Sequence, residues 1–292
     1  MTYNLQLLPI LCIAGPTASG KSSRAVEEAL ARNGEIISVD SRQVYRGLDI
    51  GTEKITGEEM RGIPHYLIDI RDASETYSAG DFVVDATRLI EEISARGKLP
   101  ILVGGTHFYF DALTRGLPMN TAPNKQLREK FEKLGTEELY ARVRGADARR
   151  ASELDPQNRR RLIRALEIID SIGTVPIRNS LFEPIGQNKE YAIQWIVIDP
   201  PREELRERID ARLVSALSRG LVDEVRRVRE EVGLSGQGDA RLNELGLEYK
   251  IVGEFLRDER TEESIFPALS AKLWQYARRQ KAWLRKLGHP MS

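Results

Sequence analysis

The sequence has a single cysteine, Cys12, among 292 residues. An intramolecular disulfide is therefore excluded, and so is a cysteine-rich zinc site. Histidine is almost as scarce, with three residues. His65 and His107 stand alone, without metal-ligand spacing, and read as structural. Long apolar runs are missing too. The longest, near residues 7–14 and 191–198, are strand-sized and far too short to span a membrane. Residues 1–9 lack a basic n-region, which argues against a secretory signal. Net charge is nil, 44 Lys and Arg against 44 Asp and Glu, and this leaves an RNA partner open. What is present, 41% hydrophobic and 30% charged residues, is the composition of a globular protein with a substantial core. A cytoplasmic location with no membrane association is the expectation.

Short apolar runs alternate with amphipathic stretches in the first third. Residues 9–14, 35–39, 65–70 and 99–103 read as strands, and 23–32 and 81–95 as helices. In the second helix Phe82, Leu89 and Ile93 share one face. Such alternation predicts a parallel sheet with helices on both faces. From about 118 to 180 the strand-like runs vanish, and helix formers dominate at 125–134, 136–143 and 159–172. A strand returns at 191–199. Helices follow at 202–218, 222–231, 242–257 and 261–287, with a Gly-rich connection at 233–238. The expected fold is α/β, a P-loop NTPase-like parallel sheet flanked by helices, with a helical insertion domain. The catalytic core would comprise 1–117 and 190–292, and the insertion 118–189.

Gly15-Pro16-Thr17-Ala18-Ser19-Gly20-Lys21-Ser22 matches the G-x-x-x-x-G-K-[ST] phosphate-binding loop. It follows a strand and opens a helix, the context that makes the pattern meaningful. The glycines let the backbone wrap phosphate oxygens with its N–H groups turned inward. Lys21 adds a positive charge, Ser22 is placed to hold Mg²⁺, and the helix N-terminus favours an anion. The loop does not identify the phosphate compound. Asp40, closing the second strand in 36–45, lies where ligands sit in open parallel sheets. A helix cap or structural hydrogen bond is the competing role for an Asp before Ser.

The phosphate loop is followed by Ser38-Val39-Asp40-Ser41 and by Tyr45-Arg46-Gly47-Leu48-Asp49-Ile50-Gly51-Thr52. Pro64-His65-Tyr66-Leu67-Ile68-Asp69, Tyr77-Ser78-Ala79 with Phe82, and Val103-Gly104-Gly105-Thr106 with Tyr109 come next. Arg161-Leu162-Ile163-Arg164-Ala165-Leu166-Glu167, Gly220 with Glu224-Val225, and Arg279-Gln280 with Trp283-Leu284-Arg285 complete the series. This order of motifs, along nearly the whole chain, resembles the tRNA dimethylallyltransferase family. Two segments depart from the family pattern. The proline of G-T-x-K-P is replaced by Ile55, and in 245–250 the tyrosine and lysine are displaced relative to Gly246.

The resemblance implies transfer of a dimethylallyl group from dimethylallyl diphosphate to N6 of an adenine beside the tRNA anticodon. It implies Asp40 as general base, with Thr106 and Arg226 as further catalytic residues. Thr17 and the rest of 15–22 would bind the diphosphate with Mg²⁺. The anticodon stem-loop would contact Asp40, Ser41, Arg42, Gln43, Thr106, Arg128, Arg160, Arg161, Leu162, Ile163 and Arg164, and the protein would act as a monomer. Charge distribution agrees with an RNA partner. Residues 142–167 carry eight Arg against four acids, and 271–288 carry six Lys or Arg and no acid. Ordinary solvated faces would give the same counts. Trp274 and Trp283 lie among Leu273 and Leu284 and read as packing. An adenylate dimethylallyltransferase and a P-loop small-molecule kinase remain the alternative activities.

Overall fold

The computed structural model describes residues 7–116, 124–175, 191–233 and 238–286. In chain order the elements are β1 (Leu8–Ala14), α1 (Lys21–Arg32), β2 (Gly34–Val39), β3 (His65–Tyr66), α2 (Ala79–Ala95), β4 (Leu99–Gly104) and α3 (His107–Arg115). Then follow α4 (Lys125–Glu132), α5 (Thr136–Ala146), α6 (Ala148–Glu153), α7 (Arg159–Ile172) and β5 (Tyr191–Val197). The chain closes with α8 (Arg202–Ser218), α9 (Leu221–Gly233), α10 (Gly238–Leu245), α11 (Leu247–Leu256) and α12 (Ile265–Lys286). It divides into two compact units, 1–110 with 189–292, and 111–188. No helix among the described residues is long and apolar enough to cross a membrane.

All strand pairings are parallel, in the order β3-β2-β4-β1-β5. β1 and β4 are apolar throughout, and β2 is buried along its whole length, because helices cover both faces. Ile10, Leu11, Cys12 and Ile13 of β1 are buried, as are Ile36 and Ile37 of β2 and Ile101 and Leu102 of β4. Burial pushes the Cys12 thiol far up, leaving an inert packing residue. Helix α2 begins with a reciprocal capping box between Ser78 and Asp81. Its Phe82, Leu89 and Ile93 are buried.

Three expected elements differ. The strand expected over 65–70 ends at Tyr66, because Leu67 and Asp69 adopt positive φ, 62° and 55°. The amides of Asp69 and Ile70 then bond to the carbonyls of Gln43 and Val44 instead of extending the sheet. The helix expected over 242–257 is two helices, broken where Gly246 and Leu247 take φ of 69° and 43°. A 3₁₀ turn, Glu262–Ser264, precedes the last helix. Most of the Gly-rich connection, 234–237, lies outside the described residues.

The second unit is built from α4 to α7. Leu139 and Val143 pack with Leu162, Ile163, Ala165, Leu166 and Ile168. Asp147 ends α5 and caps α6, accepting from the Arg150 amide at 2.8 Å and the Thr174 hydroxyl at 2.8 Å. Glu167 is buried and pairs with Arg128 at 2.9 Å and Arg164 at 3.3 Å.

The 25 residues between β2 and β3 form a long connection, and two buried or nearly buried charges fasten it. Lys54 Nζ reaches Asp49 at 2.6 Å and Asp69 at 2.5 Å. Glu224 of α9 accepts the amides of Asp49, Ile50 and Gly51 at 2.6–2.9 Å, and the Tyr249 hydroxyl at 2.8 Å. A side chain at Gly51 would lie 2.9 Å from that hydroxyl. Glu224→Gln removes the charge behind these bonds. It should cost on the order of 3 kcal/mol, read as a lower midpoint in thermal or urea unfolding. Glu230→Gln, exposed on the same helix, should leave the midpoint within about 0.5 kcal/mol of wild type. Equal midpoints for the two variants would deny Glu224 this anchoring part.

Candidate active site

β1, β4 and β2 are neighbours and end level with one another: Ala14 pairs with Gly104, and Val39 with Gly104. The segments that leave them are 15–22, 105–106 and 40–43. Three motifs far apart in sequence therefore meet at the carboxyl edge of the sheet, where open α/β folds bind ligands.

The phosphate loop takes its shape from glycine and from α12. Gly20 sits at φ 83° immediately before α1. A Cβ on Gly15 would lie 2.5 Å from Ser19 Oγ and 2.9 Å from the Ile198 carbonyl. Gln280, almost wholly buried, clamps the loop. Its Oε1 accepts from the Thr17 amide at 2.8 Å, and its Nε2 donates to the Gly105 carbonyl at 2.8 Å. One amide side chain thereby sets the spacing between the first and third segments.

Positive charge converges on this loop. Lys21 Nζ donates to the Pro16 carbonyl at 3.2 Å. Arg212 of α8 donates from Nη1 to Thr17 Oγ1 at 2.6 Å. Burial pushes the Lys21 ammonium down to about 8, opposed by the Asp40 carboxylate and assisted by the Arg212 charge. Burial also lowers Arg212, against the pull of Glu248 and Glu53. A bound polyanion would relieve this crowding of cations.

Asp40 is partly buried, and its carboxylate is oriented by the turn that follows. Oδ1 accepts from the Arg42 amide at 2.8 Å and the Gln43 amide at 3.2 Å. The structural role considered for Asp40 is thus filled by one oxygen, while the other has no partner among the described residues. Thr106 joins the next segment by accepting the Ser41 amide at 3.1 Å. Gln43 is spent on structure, with Oε1 on the Ser38 hydroxyl and Nε2 on the carbonyls of Thr52 and Glu53. Tyr276 of α12 completes the lining. Burial and the nearby Asp40 charge push its phenol up to about 12, so it stays protonated.

Not every expected residue joins this cluster. Arg226 is exposed on α9 and pairs with Asp223, whereas the arginines on the phosphate loop are Arg212, on Thr17, and Arg208, on the Ser19 carbonyl at 3.5 Å. Ser22 is exposed in the first turn of α1. In the second unit Arg160 and Arg161 are exposed and make no ion pair among the described residues. Arg128 and Arg164 are engaged with Glu167. Leu162 and Ile163 are core residues of that unit. Their side chains face into that core. Trp283 packs against His107 at 4.5 Å between ring centroids, and Trp274 lies under Arg202 and Arg206.

Sequence reasoning missed Arg212, Glu248 and the work of Gln280. Gln280 did stand in a quoted motif, and Arg212 in an arginine-bearing helix after a strand. Glu248 carried no signal, because it belongs to a segment that departs from the family pattern.

The parallel sheet and its phosphate cradle define a P-loop-like α/β enzyme. A sequence model described as IPP transferase matches residues 43–287. The tRNA dimethylallyltransferase of Thermomicrobium roseum is 40% identical over 285 residues, 96% of this chain and 84% of that protein. The tRNA dimethylallyltransferase 1 of Trichlorobacter lovleyi is 41% identical over 286 residues, covering 94% and 90%. The crystal structure of the full-length tRNA isopentenylpyrophosphate transferase from Bacillus halodurans matches with a TM-score of 0.68 and 36% identity, over 96% of this chain and 87% of that one. A eukaryotic dimethylallyltransferase captured in crystals acting on tRNA matches with a TM-score of 0.77 and 27% identity, over 95% and 70%. The chain belongs to the IPP transferase family.

The lowered Lys21 value sets a pH signature for anion binding. An ammonium near 8 in the free protein must be charged to hold a phosphate, so affinity is full below that pH and declines above it. Inorganic diphosphate titrated by calorimetry should bind progressively more weakly from pH 7.5 to 9.5, by up to about tenfold per unit. Lys21→Ala should bind more weakly throughout and lose most of this dependence. A wild-type affinity that is flat across the range, or unchanged in the variant, would remove Lys21 from the cradle.

Proposed function

We infer that this enzyme transfers a dimethylallyl group from dimethylallyl diphosphate to N6 of an adenine next to the anticodon of tRNA. The observation that carries the reading is the division of charge at the sheet edge. Lys21 and Arg212 meet at the phosphate-binding loop, and the nearby carboxylate, Asp40, keeps one oxygen free.

The chemistry asks for both halves. The exocyclic amine of adenine is a poor nucleophile, since its lone pair is delocalised into the ring. As the nitrogen bonds to the allylic carbon, the carbon–oxygen bond to diphosphate breaks and the amine proton leaves. The free oxygen of Asp40 accepts that proton. Charge growing on the departing diphosphate is met by Lys21, Arg212 and the amides of 15–22. The Thr106 hydroxyl, which accepts the Ser41 amide, would contact the acceptor base beside Asp40. A Mg²⁺ ion would fit with little protein help, because it retains water and leans on substrate phosphates. Ser22, the last residue of the phosphate-loop motif and in the first turn of α1, is the residue that would hold it against the diphosphate. The ion would supply further neutralisation of the leaving group.

The adenine lies in a folded loop, and reaction at N6 requires the base to be turned out of its stack. Recognition of the surrounding RNA then falls to exposed cations. Arg160 and Arg161 open α7 in the second unit, and Arg278, Arg279 and Arg285 are exposed along α12. Phosphate contacts of this kind make binding steeply salt-dependent. Arg160→Glu with Arg161→Glu should weaken tRNA binding about tenfold or more at low salt and leave diphosphate affinity unchanged. Both effects are readable by filter binding and calorimetry. Undiminished tRNA affinity would exclude α7 from the RNA surface and favour a free adenylate as acceptor, for which AMP serves as the control substrate.

Asp40→Asn keeps the shape of the turn and removes the proton acceptor. The single-turnover rate should fall by roughly a hundredfold or more, with tRNA and diphosphate still bound. Near-normal turnover by the folded variant, or full recovery at high Mg²⁺, would take the base role from Asp40.

A further inference from the structure

The segment 245–250, which departs from the family pattern, proves to be part of the site. Gly246 breaks the helix and Leu247 takes a positive φ, which turns Glu248 inward to 2% exposure. There its carboxylate holds two arginines from distant parts of the chain. Oε2 accepts from Arg42 Nη1 at 2.5 Å, and Oε1 lies 3.7 Å from Arg212 Nη2. Arg212 is the same residue that donates to Thr17 on the phosphate loop. Arg42 is two residues from Asp40, and its backbone amide already bonds to Asp40 Oδ1.

Two carboxylates therefore bear on Arg42, Glu248 through the guanidinium and Asp40 through the backbone amide and its charge. Arg42 is largely buried, and burial opposes its charge. Glu248 contributes most to overcoming that penalty, and Asp40 contributes next. With Glu248 neutral, the strongest remaining attraction on Arg42 is Asp40, the group whose free oxygen the transfer reaction needs. The other charged or titratable groups bearing on this cluster are Lys21, Glu53, Arg212, Tyr249, Tyr276 and Arg279, with Glu224 behind Tyr249. The further carboxylates are both engaged: Arg219 pairs with Glu53, and Glu224 accepts three amides and the Tyr249 hydroxyl.

We propose that Glu248 is a positioning residue for the transfer reaction: it holds the Arg42 guanidinium off Asp40, so that the base stays free while Arg212 keeps its place on Thr17 through its own hydrogen bond. The proposal rests on the function inferred above.

Glu248→Gln removes the charge at constant shape, and Glu248→Asp keeps the charge one methylene shorter. In Glu248→Gln the single-turnover rate at saturating substrates should fall about tenfold to a hundredfold, while affinity for inorganic diphosphate stays within about threefold of wild type. Glu248→Asp should recover most of the rate. A crystal structure of Glu248→Gln should show the Arg42 guanidinium on the Asp40 carboxylate, a readout independent of any activity. Removing one partner of a buried pair is costly to folding. If Glu248→Gln does not fold, Glu248→Asp carries the test through its rate and the position of Arg42. A rate loss matched by an equal loss of diphosphate affinity would overturn the proposal. So would Arg42 found off Asp40 in Glu248→Gln, or Glu248→Asp no better than Glu248→Gln. Wild-type protein that makes no dimethylallyl-tRNA would instead defeat the functional reading, and the crystal structure would still decide where Glu248 holds Arg42.

Discussion

Every strand of the sheet points the same way, so each hands its chain to a loop at the same edge. The rest of the site depends on this constraint. Ala14, Val39 and Gly104 end within one register of each other, and the loops after them have nowhere to go but a shared crevice. The backbone approach is close: a Cβ on Gly104 would lie 2.1 Å from the Val39 carbonyl oxygen. The phosphate loop, the Asp40 turn and the Thr106 segment are therefore brought together by strand order before any side chain is considered. Gln280 then fixes their spacing with two hydrogen bonds from outside the sheet.

Buried carboxylates supply the second level of order, and each organises positively charged or N–H groups that would otherwise move. Glu224 gathers three consecutive amides of the long connection after β2. Glu248 gathers Arg42 and Arg212. Glu167 does the same for Arg128 and Arg164 within the helical unit. A buried charge is costly unless paired, and this cost makes each arrangement specific: only one placement of the surrounding donors satisfies the acid. The chain's equal numbers of acids and bases are thus partly internal wiring. Net charge for that reason says little about its partners.

Local signals were legible where a residue's neighbours in sequence are also its partners in space. The phosphate loop was readable because its glycines, lysine and following helix act within eight residues. Helices 159–172 and 202–218 were readable with their ends, since Asn158 caps the first and Gly173 closes it, and Pro201 opens the second. The strand at 65–70 was misread because its apolar pattern is genuine but its backbone bonds to residues 43–44. The break at Gly246 was hidden because helical periodicity continues on both sides of it. Leu162 and Ile163 share a motif with Arg161 and Arg164, but adjacent residues on a helix point in different directions, and these two side chains fill a core.

By itself the sequence determined the class of fold, the phosphate loop with Lys21, the carboxylate at Asp40 and the family to which the motif order belongs. These rest on short-range geometry and on a pattern of residue types that the chain carries linearly. Tertiary structure alone decided that Arg212 reaches Thr17, that Gln280 ties two loops lying 263 and 175 residues before it, and that Glu248 faces Arg42 across 206 residues. Those partners meet only when helices α8, α11 and α12 pack over the carboxyl edge of the sheet. A contact made by packing leaves no periodicity or spacing in the sequence from which it could be read.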